Sequence, residues 1–284
     1  MRYATKQHSA FTLIELLVVV AVLALLVSIL LPSLGRARQL SQQAVCGSNL
    51  RQIAFANIGY STENNDYFTL AAEDILVGNG GTKRWHGVRN SPGVSSDPND
   101  NCFDPRRGPL VKYLEGGGVK QCPSFVDYST EGADNAFEAA CGGYGYNQQY
   151  LGGRYDLYSL FTPGDFGKAA RVSARLSDVG SPSDTVMFTD AALAQANPLR
   201  VIEYSFCEPP YFPSHKGPPK FRADASVCFR HLGRASVGWV DGHVNAQQMT
   251  FTAGYKGYPV TEQQVRELQL GWFGPDSNEW FDLE

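Results

Sequence analysis

The sequence predicts an α+β protein: a long N-terminal helix, first membrane anchor and then spine, packed on a mainly antiparallel β-sheet head. Three observations carry this expectation. An uncharged run, LLVVVAVLALLVSILL, fills positions 16–31. Behind it, apolar residues recur at three- and four-residue steps as far as Ile58. Farther on, short apolar stretches are punctuated by Gly, Pro and Asp-Gly turn signals.

The apolar run comes first. Counted from Phe11 it is long enough, as a helix, to cross a hydrocarbon core of ~30 Å. Arg2 and Lys6 precede it without any acid, which favours a cytoplasmic N-terminus, whereas Arg36 and Arg38 on the far side weaken the asymmetry. Charge alone therefore does not orient the segment. A secretory signal peptide, a plain signal anchor and a cleaved leader all begin this way. A secretory peptide needs a small-residue site after the run, and Pro32-Ser33-Leu34-Gly35-Arg36 is a mediocre one. Glu15 separates the readings. A carboxylate in the apolar helix start costs ~2.5–3.5 kcal/mol on insertion scales, so it calls for a nearby cation. Cleavage between Ala10 and Phe11 would create one, a free amine four residues away.

The stretch Ala10-Phe11-Thr12-Leu13-Ile14-Glu15-Leu16-Leu17-Val18-Val19 resembles the type IV pilin and pseudopilin signal. The resemblance implies that prepilin peptidase cuts before Phe11 and methylates the new amine. It also implies that Glu15 serves assembly with other pilin or pseudopilin subunits. Ala10 departs from the usual Gly before the cut. The Cys46–Ile53 and Asn64–Phe68 segments, with His231, Asp241 and Gly242 in a His-(nine residues)-Asp-Gly signature, look like a bacterial subfamily of such proteins. Cys122-Pro123-Ser124 and Gly271-Trp272-Phe273-Gly274-Pro275 also fit it. The implied division is a leader at 1–10, a transmembrane helix at 11–32, a helical stalk at 33–65 and an exported head at 66–284. The implied location is the bacterial inner membrane, crossed once, with the head in the periplasm or outside the cell.

The stalk stripe is Leu34, Ala37, Ala44, Val45, Leu50, Ile53, Ala54 and Ile58, and Asn64-Asn65-Asp66 should end the helix. Residues 78–110 read as a polar loop or insertion. Residues 185–190 read as a buried strand ending in Asp190. Residues 236–247 read as a hairpin whose Asp241-Gly242 turn should place both residues at positive φ. Tyr144, Tyr146, Tyr150, Tyr155 and Tyr158 would either stack on sugar rings or pack against the sheet, and packing is the simpler reading.

Cys46, Cys102, Cys122, Cys141, Cys207 and Cys228 include no CxxC pair, which gives little support to a structural zinc site or a thioredoxin-type motif. Outside the cytoplasm they favour one to three disulfides of unreadable pairing, with a buried unpaired Cys46 as the alternative. Net charge is −4, without a basic stripe, so nucleic acid is not an expected partner. No GxSxG, HExxH, Walker or GxGxxG pattern appears, and Asp165, Asp178 and Asp184 have no telling spacing. The expectation is a structural subunit of a type II secretion-like or type IV pilus-like machine, not an enzyme. A membrane-anchored binding protein or adhesin is the alternative. No cofactor is required. If strands ending at Asp190 and Asp241 lay side by side near His231 or His243, they would form a cation site, with Ca2+ suggested by the resemblance to pilin heads. The competing reading makes His231 and Asp241 a hydrogen-bonded turn, and it needs fewer assumptions.

Overall fold

A computed structural model of the chain describes residues 13–77, 80–91, 103–128, 138–158, 162, 164–214, 220–255 and 260–284. Helix α1 (Leu13–Glu63) runs for 51 residues with Pro32 inside it. Its first half is built of Leu, Val, Ala and Ile; Leu and Ala are strong helix formers, and the β-branched Val and Ile cost only about 0.5 kcal/mol each. Ser28 and Ser33 return their hydroxyls to the carbonyls of Leu25 and Leu30, at 2.7 and 2.8 Å, so neither is bare in the apolar segment. The helix stops where Asn65 and Asp66 take φ of 55° and 71°, as the Asn64-Asn65-Asp66 run predicts.

The chain divides into two compact units, Met1–Ser41 and Gln42–Glu284. In the first, the apolar side chains from Leu13 to Leu34 are exposed. Its helical segment is long and apolar enough to cross a membrane, with a mean hydropathy of 3.1. The second unit takes the remaining helix as part of its core. The buried face there is Cys46, Asn49, Leu50, Ile53, Ala54, Ala56, Asn57 and Ser61. Ala44 and Val45, expected in the stripe, are exposed. Polar residues set the phase instead: Asn57 Oδ1 accepts the Thr69 N–H at 3.0 Å.

In chain order the head has a hairpin of β1 (Lys83–Arg84) and β2 (Gly87–Val88), helix α2 (Pro123–Tyr128), strand β3 (Tyr144–Tyr146) and helix α3 (Asp165–Ala169). Strand β4 (Val186–Asp190) is followed by hairpins β5 (Leu193–Gln195) with β6 (Arg200–Ile202) and β7 (Tyr211–Phe212) with β8 (Lys220–Phe221). The chain closes with β9 (Val227–Cys228), β10 (Arg234–Trp239), β11 (Val244–Gln248), α4 (Glu262–Glu267) and β12 (Leu270–Gly271). The main sheet is antiparallel throughout, in the order β11-β10-β4-β3. The molecule is therefore α+β, a long apolar N-terminal helix with its later turns packed against antiparallel sheet.

Strand alternation places the two faces. Ala235, Val237 and Trp239 join Phe229, Phe273 and Phe281 in one cluster, while Leu50 of α1 lies 3.4 Å from the place a side chain on Gly238 would occupy. The described part of the expected 78–110 insertion is core-forming. Trp85 is fully buried, donates Nε1–H to the Ser205 carbonyl at 2.7 Å and lies against Phe188. Arg84 beside it is paired with buried Glu138. Polar composition hid these anchors.

Candidate functional site

The processing positions Ala10 and Phe11 lie outside the described residues. Glu15 lies in the first described turn of α1.

The His-(nine residues)-Asp-Gly signature has a simple structural meaning: turn, strand, turn. His231 and Arg234 exchange both backbone hydrogen bonds at 3.0 Å, closing a two-residue turn with Leu232 at φ 54° and Gly233 at φ 78°. Strand β10 follows. At its end Gly242 N–H donates to Trp239 O and Trp239 N–H donates to His243 O, enclosing residues 240–242. Only Gly242, at φ 87°, is left-handed there. The expected turn with two left-handed residues thus sits before β10, and the Asp-Gly turn is a three-residue loop. Asp241 can keep an ordinary φ because its carboxylate accepts both the His243 N–H (2.9 Å) and ring Nδ1–H (2.7 Å).

This geometry separates the expected cation ligands. Strands β4 and β10 run antiparallel, so Asp190 meets Ser236 near one end of β10. The Asp241 N–H donates to Pro182 O beyond the other end of β10, past about 10 Å of strand. Asp190, Asp241 and His231 do not form one site, and His231 does not bond the Asp-Gly turn. Calcium loses its proposed carboxylate pair.

His231 instead enters the core. Its Nε2 lies 3.2 Å from Asp190 Oδ2 and 3.6 Å from Cys122 Sγ, and both His231 and Asp190 are buried. Cys122, at the start of α2, is disulfide-bonded to Cys46 on α1 across 76 residues of sequence. Asp190 Oδ2 also accepts the Ser236 N–H at 2.6 Å. Burial pushes the Asp190 carboxyl up, but His231, the Arg230 guanidinium and Ser236 N–H outweigh it and hold it below the usual carboxylate range. Among the described residues, Cys46, Cys122, Asp190 and His231 bring four donor atoms within 4.8 Å of one another. Sequence reasoning named all four, as separate signals. It had no way to join Cys46 and Cys122 to His231.

The remaining cysteines in the described part, Cys141, Cys207 and Cys228, are buried, and burial pushes each thiol up, away from nucleophilic use. Cys102 lies outside the described residues. Asp165 is paired with Lys168, and Asp178 shares the Arg154 guanidinium with Asp156. Tyr144, Tyr146, Tyr150 and Tyr155 are buried, and Tyr158 is half-buried. The Tyr144 and Tyr146 hydroxyls donate to the carbonyls of Cys46 and Thr69.

Comparison with known proteins bears on the N-terminus. Residues 5–31 match the prokaryotic N-terminal methylation motif. The type IV wide pilus major component PilA4 of Thermus thermophilus is 37% identical over 73 residues, 26% of this chain and 56% of that protein. The chain thus spans little more than half the length of the curated relative it matches. No solved structure matches significantly. The chain carries the prepilin-type methylation motif and is distantly similar to a type IV pilin.

Proposed function

We propose that this chain is a pilin-like or pseudopilin structural subunit rather than an enzyme. On this reading prepilin peptidase cuts between Ala10 and Phe11 and methylates Phe11. The 11–32 segment then holds the protein in the bacterial inner membrane, and α1 packs with other subunits in a type IV pilus-like or type II secretion-like assembly. The observation that carries this is the methylation motif at 5–31 leading into one helix that extends from Leu13 to Glu63. Glu15 supplies the carboxylate that a new Phe11 amine would neutralise, in its own chain or a neighbour's, and scarcity of water strengthens that pairing. Burial of four of the five tyrosines favours this reading over a head that stacks sugar rings on a tyrosine surface.

The mass and N-terminal sequence of the mature protein test processing. A methylated Phe11 start is expected; a start at Met1 or near Gly35 would end the proposal. Glu15→Val should insert and be cleaved normally yet fail to enter sheared filaments or secretion complexes. Valine only makes the helix more apolar, so a defect could not be blamed on insertion. Undiminished incorporation of this variant would remove Glu15 from assembly.

A further inference from the structure

We infer that Cys46, Cys122, His231 and Asp190 form a buried binding site for one zinc-class divalent cation, filled when the Cys46–Cys122 disulfide is reduced. The donors come from four separate places: α1, the start of α2, the turn before β10 and the end of β4. All four donor atoms lie within 4.8 Å of one another, and two of their six separations can be set against a tetrahedral ion. Zinc–sulfur bonds near 2.3 Å and zinc–nitrogen or zinc–oxygen bonds near 2.0 Å place sulfur about 3.5 Å from nitrogen and nitrogen about 3.3 Å from oxygen. The corresponding separations are 3.6 Å from Cys122 Sγ to His231 Nε2 and 3.2 Å from there to Asp190 Oδ2. Two thiolates and an imidazole are soft donors that suit zinc and not calcium.

Charge closes as well. Two thiolates, a carboxylate and a neutral imidazole leave one excess negative charge around a divalent ion. The Arg230 guanidinium, buried and acting electrostatically on both Asp190 and Cys228, supplies the balancing positive charge. In the oxidised form His231 Nε2–H donates to Asp190. In the metal form the ion takes that position and the proton resides on Nδ1.

The interconversion balances. A dithiol reductant gives two electrons and two protons to the Cys46–Cys122 bond, producing two thiols and the reductant's own disulfide. Binding of the cation then releases both thiol protons to solvent. Disulfide and metal are mutually exclusive, and either ties α1 to the rest of the head.

The test uses the full chain in detergent, with Co2+ as the spectroscopic probe and Zn2+ as competitor, before and after anaerobic reduction by a dithiol. The reduced protein should bind one equivalent of Co2+ with sulfur-to-cobalt charge-transfer absorption and a tetrahedral ligand-field band, both abolished by Zn2+. The oxidised protein should show neither. His231→Gln, with its fold verified in the oxidised state where the disulfide holds it, should weaken Co2+ binding after reduction by about tenfold or more. Cys228→Ser should leave binding unchanged. If reduction unfolds the chain, Zn2+ should refold it. Absence of thiolate-bound Co2+ in the reduced protein, equal binding by His231→Gln, loss of binding in Cys228→Ser, or failure of Zn2+ to refold an unfolded reduced chain would each overturn the assignment.

Discussion

Two His–Asp pairs flank strand β10, and the one with the shorter contact is the weaker device. His243 Nδ1 lies 2.7 Å from Asp241 Oδ1, with the two side chains 39% and 38% exposed. His231 Nε2 lies 3.2 Å from Asp190 Oδ2, with the side chains 1% and 0% exposed. Water reaches the first pair and is almost wholly kept from the second. A surface ion pair is worth at most about 1 kcal/mol, whereas removing one member of a buried pair costs about 3–5 kcal/mol, because the other is left bare. Distance locates a contact, and burial sets its weight.

Substitution of Asp190 should give the largest effect that separates the two pairs. In the oxidised protein, Asp190→Ala leaves the Ser236 N–H without its acceptor, Arg230 without its nearby negative charge and His231 without its partner. A loss of about 3–5 kcal/mol is expected in chemical denaturation. Asp241→Ala should cost about 0.5–1 kcal/mol, since solvent replaces its bonds. A double-mutant cycle sharpens the contrast: His231 and Asp190 should be strongly coupled, His243 and Asp241 barely. Equal costs for the two Asp→Ala variants would break the comparison and show that burial does not govern these pairs.

An intermediate effect is expected at Gly242, where the exposed turn meets the helix. A Cβ there would lie 2.8 Å from Phe55 Cε1, and φ is 87°. The exposed Phe55 ring can move, so the backbone conformation carries most of the cost. Gly242→Ala should destabilise the head by about 1–2 kcal/mol. The same substitution in a Phe55→Ala background should recover only a minor part of that loss. Full recovery would show that crowding by the ring, and not φ, demands glycine.

The sequence made some of this legible and hid the rest for physical reasons. The apolar helix, the buried 186–190 strand and the 236–247 hairpin are local patterns, and periodicity reports local patterns. The Asp-Gly turn was located correctly, but its left-handed residues were misassigned. The side chain of Asp241 satisfies the turn by itself, which leaves only Gly242 at positive φ. His231 was visible as half of a spaced motif, yet its partners Asp190 and Cys122 are 41 and 109 residues away in sequence. Antiparallel pairing of β4 with β10 decides which acid it meets, and no spacing rule encodes that register. Trp85 and Arg84 were lost inside a segment whose average composition is polar.

The smallest expected effect lies in the first turn and has the opposite sign. Leu232 adopts φ 54° and is 46% exposed, in the first central position of the His231–Arg234 turn. A leucine there pays for a left-handed backbone through Cβ crowding against the neighbouring carbonyl, about 1 kcal/mol, and recovers little by burial. Asparagine tolerates that region far better, and Asn-Gly is the preferred pair for a two-residue hairpin turn. Leu232→Asn should therefore stabilise the head by about 0.5 kcal/mol, read as a raised denaturation midpoint at unchanged slope. The substitution touches neither the disulfide nor the His231 side chain, so it isolates the turn from the cluster that the turn positions. A destabilisation of similar size would mean that the Leu232 side chain holds something its exposure conceals. It would also move part of the weight of the buried pair onto the turn that delivers His231 to it.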